Sequence, residues 1–215
     1  SLGYIGLYET TYLMKGCSHT QPEGKEFALR VMDYLKDTAA KWKEETGLGF
    51  SLYGTPAETL CYRFARIDRE KFGDIENVTD KGYYTNSYHV DVREPIDAFS
   101  KFTFESEFQQ KSLGGAISYV EVPNLINNIP AIEEVIKFIY DNIQYGEFNT
   151  KSDYCHVCGY DGEIQINDDM EWECPQCHNK DHSKMNVTRR TCGYLGENYW
   201  NAGKTKEIKA RVLHL

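Results

Sequence analysis

The spacing of apolar and polar positions changes period several times over the first 150 residues. Short apolar runs predict strands at Leu2 to Tyr8, Phe50 to Tyr53 and Gly115 to Val122, and Asn86 to Val92 alternates with the period of two that a half-buried strand requires. Between these runs the period lengthens to that of a helix. Glu23 to Thr46 is the clearest case: Phe27, Val31, Leu35, Thr38 and Trp42 fall on one face, lysines and carboxylates fill the rest, and Gly47 stops it. Thr55-Pro56-Ala57-Glu58 reads as a capping box, with Thr55 at the N-cap, Pro56 first in the helix and Glu58 third. That helix should run to about Phe72; Pro95 to Gln110 and Pro130 to Ile143 predict two more. Strands alternating with helices imply parallel β-α-β units, an α/β fold.

The pattern dissolves near Asn149. Asp153 to His182 is rich in Cys, Gly, Asp and Asn, with one short hairpin-like run at Glu163 to Ile166. Such a segment is too small to fold on apolar burial alone and calls for a metal. A tail from Met185 ends in Lys204 to Leu213, which predicts a basic helix with a solvated face. The expected division is 1–150 for the α/β part, 151–184 for a knuckle and 185–215 for a glycine loop and tail.

Composition narrows the function classes. Of the 215 residues 40% are hydrophobic and 13% aromatic, enough for a packed core, and the formal net charge of -9 argues against non-specific nucleic-acid binding. No apolar run approaches the roughly 18 residues of a membrane span. No signal peptide is evident, and a chain beginning at Ser1 leads us to expect a missing upstream segment. Seven cysteines, four of them at metal-site spacing, suit a reducing cytoplasmic compartment better than a secreted disulfide framework.

Cys155-x-x-Cys158 and Cys174-x-x-Cys177, fifteen residues apart, have the spacing of a four-cysteine zinc site. Each Cys-x-x-Cys turn converges two thiolates on one soft ion, and two turns close a tetrahedron with no open position, so the expected zinc is structural. Four reduced buried cysteines, an iron–sulfur cluster or a redox pair are the alternatives. His156 and His178 are expected beside the ligands rather than among them. His89 reads as a structural histidine, Glu121 as an inward-facing carboxylate, Cys61 as a packed small residue and Cys17 as a loop thiol.

Behind the knuckle comes Arg189-Arg190-Thr191-Cys192-Gly193-Tyr194-Leu195-Gly196. Alone, Gly193 is an ordinary turn glycine. With the four-cysteine site before it and the C-terminus close behind, the segment resembles the end of the anaerobic, class III ribonucleotide reductases. Gly-Tyr-Ile-Gly-Leu-Tyr-Glu at 3–9, Tyr53-Gly54-Thr55-Pro56-Ala57-Glu58 and Ile117-Ser118-Tyr119-Val120-Glu121-Val122-Pro123 are also similar to segments of that family. The resemblance implies the C-terminal part of a ten-stranded α/β barrel, with Gly193 as the glycine that stores a backbone radical. Glycine suits that role because its Cα can become planar without a side-chain clash and the unpaired electron spreads onto both flanking amides.

The resemblance also implies a reaction. An activating enzyme with an iron–sulfur cluster and S-adenosylmethionine would remove a hydrogen atom from Gly193. The radical would then pass to a cysteine thiyl that takes the 3′ hydrogen of a ribonucleoside triphosphate; the 2′ hydroxyl would leave as water, and reduction by formate or a small redox protein would complete the 2′-deoxyribonucleotide needed for DNA synthesis. Substrate phosphate is expected at the start of the helix after Tyr53, on Thr55, Ala57, Glu58 and Thr59, where amides and dipole favour an anion; an ordinary capping box is the alternative. No position matches the family's thiyl cysteine, Cys17, Cys61 and Cys192 included, and the effector-binding region is absent. The chain is therefore expected to be about a third of a complete, homodimeric enzyme and inactive alone. Two other readings stand beside this one: a zinc-ribbon binding module on an α/β domain, and a glycyl-radical enzyme acting on a small organic substrate.

Overall fold

The computed structural model describes residues 1–54, 57–190, 195–197 and 200–215, with the backbone alone at Glu58, Leu195 and Glu197. Strand β1 (Leu2–Tyr4) is followed by helices α1 (Leu7–Lys15) and α2 (Pro22–Thr46) and by β2 (Leu52–Gly54), which pairs with β1 in parallel, Leu2 opposite Leu52. Helices α3 (Glu58–Phe72) and α4 (Ala98–Gln109) lead to β3 (Ser118–Glu121). Helix α5 (Ile129–Asn142) then crosses to β4 (Gly146–Asn149), parallel to β3 with Glu121 opposite Asn149. Two backbone bonds, Gly114 N to Leu52 O (2.7 Å) and Gly54 N to Gly115 O (2.9 Å), tie β2 to the lead-in of β3. The parallel β-α-β order expected from the periodicity is present. One core packs α2 and α4 on β2 through Ala28, Met32, Leu52, Tyr88 and Phe108; a second packs α4 and α5 on β3 through Phe102, Val120, Val122 and Val135.

Several elements differ from the expectation. The strand predicted to reach Tyr8 stops at Tyr4, because Gly6 takes a left-handed turn (φ 72°) and α1 begins at Leu7. The buried face of α2 is Gly24, Ala28, Met32 and Ala39, one position round from the large apolar residues, and Trp42 lies outside it. Small residues let the backbone approach: a Cβ on Gly24 would meet the Ser18 carbonyl oxygen at 2.1 Å. Helix α3 starts at Glu58 with Ala57 in the cap position; the capping box expected over Thr55, Pro56 and Glu58 falls on residues and a side chain outside those described. The strand expected at Asn86 to Val92 is a turn with a single bridge from Asn86 to Ile5. His89 N bonds back to Asn86 O at 3.0 Å and Ser87 has φ 43°. Its alternating polar residues point inward and bond backbone groups. The His89 ring nitrogens lie 2.9 Å from Asn86 O and 2.8 Å from Ile117 O, the structural role expected for this histidine.

Beyond β4 the chain forms small antiparallel pieces. Strands β5 (Asp153–Cys155) and β6 (Asp161–Gly162) pair, and β7 (Gln165–Ile166) and β8 (Trp172–Glu173) make the hairpin foreshadowed at 163–166. Strand β9 (Met185–Asn186) returns to pair with β5. Strands β10 (Thr188–Arg190) and β11 (Leu195–Glu197) follow as an antiparallel pair, then α6 (Ala202–Ala210). The solvated basic helix expected at Lys204 to Leu213 is corrected: Lys204, Glu207 and Arg211 are buried, and the helix ends at Ala210. Lys204 pairs with Glu207 at 2.9 Å and Arg211 with Glu207 at 3.1 Å, so the charges neutralise one another inside the fold.

Candidate metal centre

The four cysteines singled out by spacing converge. The sulfurs of Cys155, Cys158, Cys174 and Cys177 all lie within 4.8 Å of one another, with Cys155–Cys177 and Cys158–Cys174 both at 3.7 Å. A tetrahedral ion with zinc–sulfur bonds near 2.3 Å would set its ligands about 3.8 Å apart. A disulfide would require about 2.05 Å. The donor set therefore fits one soft four-coordinate cation.

The two turns are built alike. Gly159 N bonds Cys155 O and His178 N bonds Cys174 O, each at 2.9 Å, and both residues take positive φ (76° and 58°). Glycine adopts that conformation freely; His178 is held in it with its Nδ1 2.6 Å from Glu173 Oε1. His156 and His178 are exposed and stand outside the sulfur cluster, as expected. Burial raises the Cys155 thiol, but backbone N–H groups of Cys158 and Val157 and the neighbouring thiols outweigh it, to about 7. The Asn179 N–H lowers Cys177, but burial and the other three thiols push it up to about 12. Four thiolates so close together need a cation to ionise together.

The knuckle's apolar side is shared with the tail. Ile164, Trp172 and Met185 pack with Val187 and Ile208. Its polar side is an ion pair that the motif reading missed. Arg189 donates from Nη1 to Asp153 Oδ1 (2.5 Å) and from Nη2 to Asp153 Oδ2 (2.7 Å), both side chains being buried. The same carboxylate accepts the N–H groups of Ile164 (2.9 Å) and Thr188 (3.2 Å). Four donors on one carboxylate join β5 to β10. We expect Asp153→Ala to leave the Arg189 charge buried and unpaired, costing about 3–5 kcal/mol in denaturant unfolding.

Strands β10 and β11 flank residues 191–194, with Arg190 opposite Leu195. Gly193 and Cys192 lie outside the described residues, as do Thr55 and Pro56. The Arg190 guanidinium pairs with Glu147 of β4, its N–H bonds Asn149 Oδ1 at 3.1 Å, and its carbonyl accepts from Arg211 at 2.9 Å. Glu121 faces inward as expected, buried and paired with Arg211 at 2.8 Å. Apart from Glu121, none of these partners had a sequence signal beyond the Arg189-Arg190 doublet itself. At the other candidate site, Ala57 is buried with its N–H on Asn86 Oδ1 (3.1 Å), and Thr59 is exposed. Cys61 is buried against the same amide oxygen at 3.3 Å, the packed position expected for it.

The C-terminus closes onto β3. His214 Nδ1 accepts the Glu121 N–H at 2.7 Å, which requires that nitrogen to be unprotonated. Burial, with Lys101 nearby, lowers the His214 pKa to about 4. The unfolded chain, titrating near 6.5, binds the proton more readily, so stability falls as pH drops from about 6.5 to about 4. The expected loss is about 3 kcal/mol over that window, and His214→Gln should flatten it in urea titrations at successive pH values.

Parallel β-α-β units joined to a four-thiol knuckle define the class: an α/β protein with a four-cysteine group that could hold a metal ion. The family model for anaerobic ribonucleoside-triphosphate reductase matches residues 1–214. The chain is 44% identical over 220 residues to the anaerobic ribonucleoside-triphosphate reductase of Haemophilus influenzae, covering all of this chain and 31% of that protein. It is 42% identical over 217 residues to that of Enterobacteria phage T4, covering all of this chain and 34% of the relative. A solved anaerobic ribonucleotide reductase superposes over 98% of this chain and 33% of its own, with a TM-score of 0.75 at 24% identity. The Thermotoga maritima enzyme in complex with dATP and CTP superposes over 97% of this chain and 33% of its own, with a TM-score of 0.65 at 22% identity. The chain belongs to the anaerobic ribonucleoside-triphosphate reductase family, and it spans about a third of the length of the curated relatives it matches. Among the described residues no helix is long and apolar enough to cross a membrane.

Proposed function

We propose that this chain supplies the radical-storing end of a cytoplasmic, homodimeric reductase that converts ribonucleoside triphosphates to 2′-deoxyribonucleoside triphosphates for DNA synthesis. Gly193 holds the radical after a partner with an iron–sulfur cluster and S-adenosylmethionine removes a Cα hydrogen atom. The thiyl cysteine that acts on the ribose lies in the remainder of the enzyme. Residues 1–150 contribute to a ten-stranded barrel, 151–184 form the zinc knuckle and 185–215 carry the loop. Cys155, Cys158, Cys174 and Cys177 hold one zinc ion, which ties the two turns together and takes no part in chemistry. The start of α3 receives substrate phosphate. The Ala57 amide is held by Asn86, so the proposed donors are the amides of Glu58 and Thr59 and the Thr55 hydroxyl.

The observation that supports the reading is the pairing of the strands that flank residues 191–194. In a chain of this family, the strands on either side of 191–194 are paired, and the first is bound to the four-cysteine knuckle through Asp153 and Arg189. The test is anaerobic activation of the complete enzyme followed by electron paramagnetic resonance. A glycyl doublet is expected, and oxygen should then cleave the chain at Gly193. Full deoxyribonucleotide formation with no doublet and no cleavage would overturn the assignment.

A further inference from the structure

We propose that Glu121 is a positioning residue for the radical loop, holding both backbone polar groups of Arg190 through two intermediary side chains; this rests on the radical role of Gly193 proposed above. Glu121 Oε1 accepts from Asn149 Nδ2 at 2.5 Å and from Arg211 Nη1 at 2.8 Å. Asn149 then accepts the Arg190 N–H through Oδ1 at 3.1 Å, and the same Arg211 nitrogen donates to the Arg190 carbonyl at 2.9 Å. One carboxylate oxygen thus sets the position of the N–H and the C=O of the residue that opens the 191–194 segment. Glu121 is itself fixed. It lies at the end of β3, opposite Asn149 in the parallel register, and exchanges backbone bonds with His214 (Glu121 N to Nδ1, 2.7 Å; His214 N to Glu121 O, 2.9 Å). Arg211 is braced from its other edge by Glu207, at 3.1 and 3.2 Å.

The arrangement does more than neutralise a buried arginine, which Glu207 already does with two bonds. It transmits the positions of two neighbouring strand ends to a backbone segment three residues from Gly193. Hydrogen-atom transfer falls off steeply with separation, and a misplacement of about 1 Å at a reacting centre costs on the order of a hundredfold in rate. The carboxylate's charge is dispensable for this role, its geometry is not. Among the described residues Oε2 has no partner, so a glutamine could keep Oε1 as the double acceptor and place its amide nitrogen in the other position.

The experiment uses the complete enzyme, anaerobically activated, with Glu121→Leu, Glu121→Gln and Asn149→Leu. For Glu121→Leu we expect kcat to fall about a hundredfold with KM within about twofold of wild type. The zinc content should stay at one and the glycyl doublet should change in hyperfine splitting. Glu121→Gln should restore kcat to within about threefold. Asn149→Leu, which cuts one tether, should lower kcat in the same direction and add less than its full effect in the double variant; if Glu121→Leu does not fold, this variant alone carries the test. Wild-type kcat in a folded, zinc-loaded Leu variant, a rise in KM at unchanged kcat, or a Gln variant as damaged as Leu would each overturn the proposal. Absence of a glycyl doublet in the wild-type enzyme would instead overturn the reading beneath it.

Discussion

In the complete reductase, Gly193→Ala should abolish the glycyl doublet and lower deoxyribonucleotide formation at least about a thousandfold, roughly 4 kcal/mol or more of barrier. The radical proposed at residue 193 would be stable only if its Cα could flatten between two amides. A methyl group there adds a steric clash in the planar form. It also replaces a hydrogen whose removal gives the better delocalised radical. The substitution should leave the rest of the protein in place. The flanking strands are fixed from outside the loop, by Glu147 and Asn149 of β4, by Arg211, and by the Asp153–Arg189 pair. Zinc content, urea midpoint and nucleotide affinity should therefore match wild type, and the oxygen-dependent cleavage should vanish with the doublet. Turnover by Gly193→Ala at more than about a tenth of the wild-type rate would place the radical elsewhere.

What the sequence disclosed, and what it concealed, follows from the distance over which each feature is encoded. The four cysteines were legible because a Cys-x-x-Cys turn is a local object, and the structure brings all four together. The order of helices and parallel strands was legible for the same reason. The buried ion pairs were not. Lys81 meets Glu9 at 2.5 Å and Asp91 at 2.6 Å, Arg211 meets Glu121 at 2.8 Å, and Arg189 meets Asp153 at 2.5 Å. Arg211 read as solvated and Glu121 alone as inward-facing; the other residues carried no local signal, because a charged residue is buried only when a distant partner neutralises it. Helix α6 shows the consequence: its basic composition suggested a wet surface, yet Lys204 and Arg211 lie inside, each on Glu207. The segment at 86–92 failed differently. Alternation of apolar and polar residues signals a strand only if the polar ones face water. Here Asn86, Ser87, His89 and Asp91 are all buried; the His89 ring bonds the Asn86 carbonyl across the turn and Asn86 Oδ1 accepts the distant Ala57 N–H.

The second large effect concerns the knuckle. In this chain, Cys174→Ser should reduce bound zinc from one to none and unfold residues 153–190. Structural zinc contributes about 10–16 kcal/mol of binding free energy, comparable to the whole stability of a typical domain at about 5–15 kcal/mol. The strands it organises are two or three residues long, and the apolar cluster beneath them is small. Serine keeps the volume but replaces a thiolate with a hydroxyl that stays protonated, so the fourth bond is lost. The loss should spread into the tail, because Val187 and Ile208 pack on the knuckle and Arg189 is paired with Asp153. It should not spread into α2 and α4, which pack in separate clusters with β2 and β3. Hydrogen exchange after substitution or chelation should therefore show protection lost through β5, β9 and β10 and retained in α2 and α4. Retained protection in β5 and β9 without metal would mean that the sulfur cluster is not what holds the knuckle. Loss in α2 as well would mean that the two parts fold as one unit. In the complete enzyme the same variant should fail to accumulate the glycyl doublet, since the strand leading to residue 193 would lose the Asp153 anchor that the proposed zinc would keep in place.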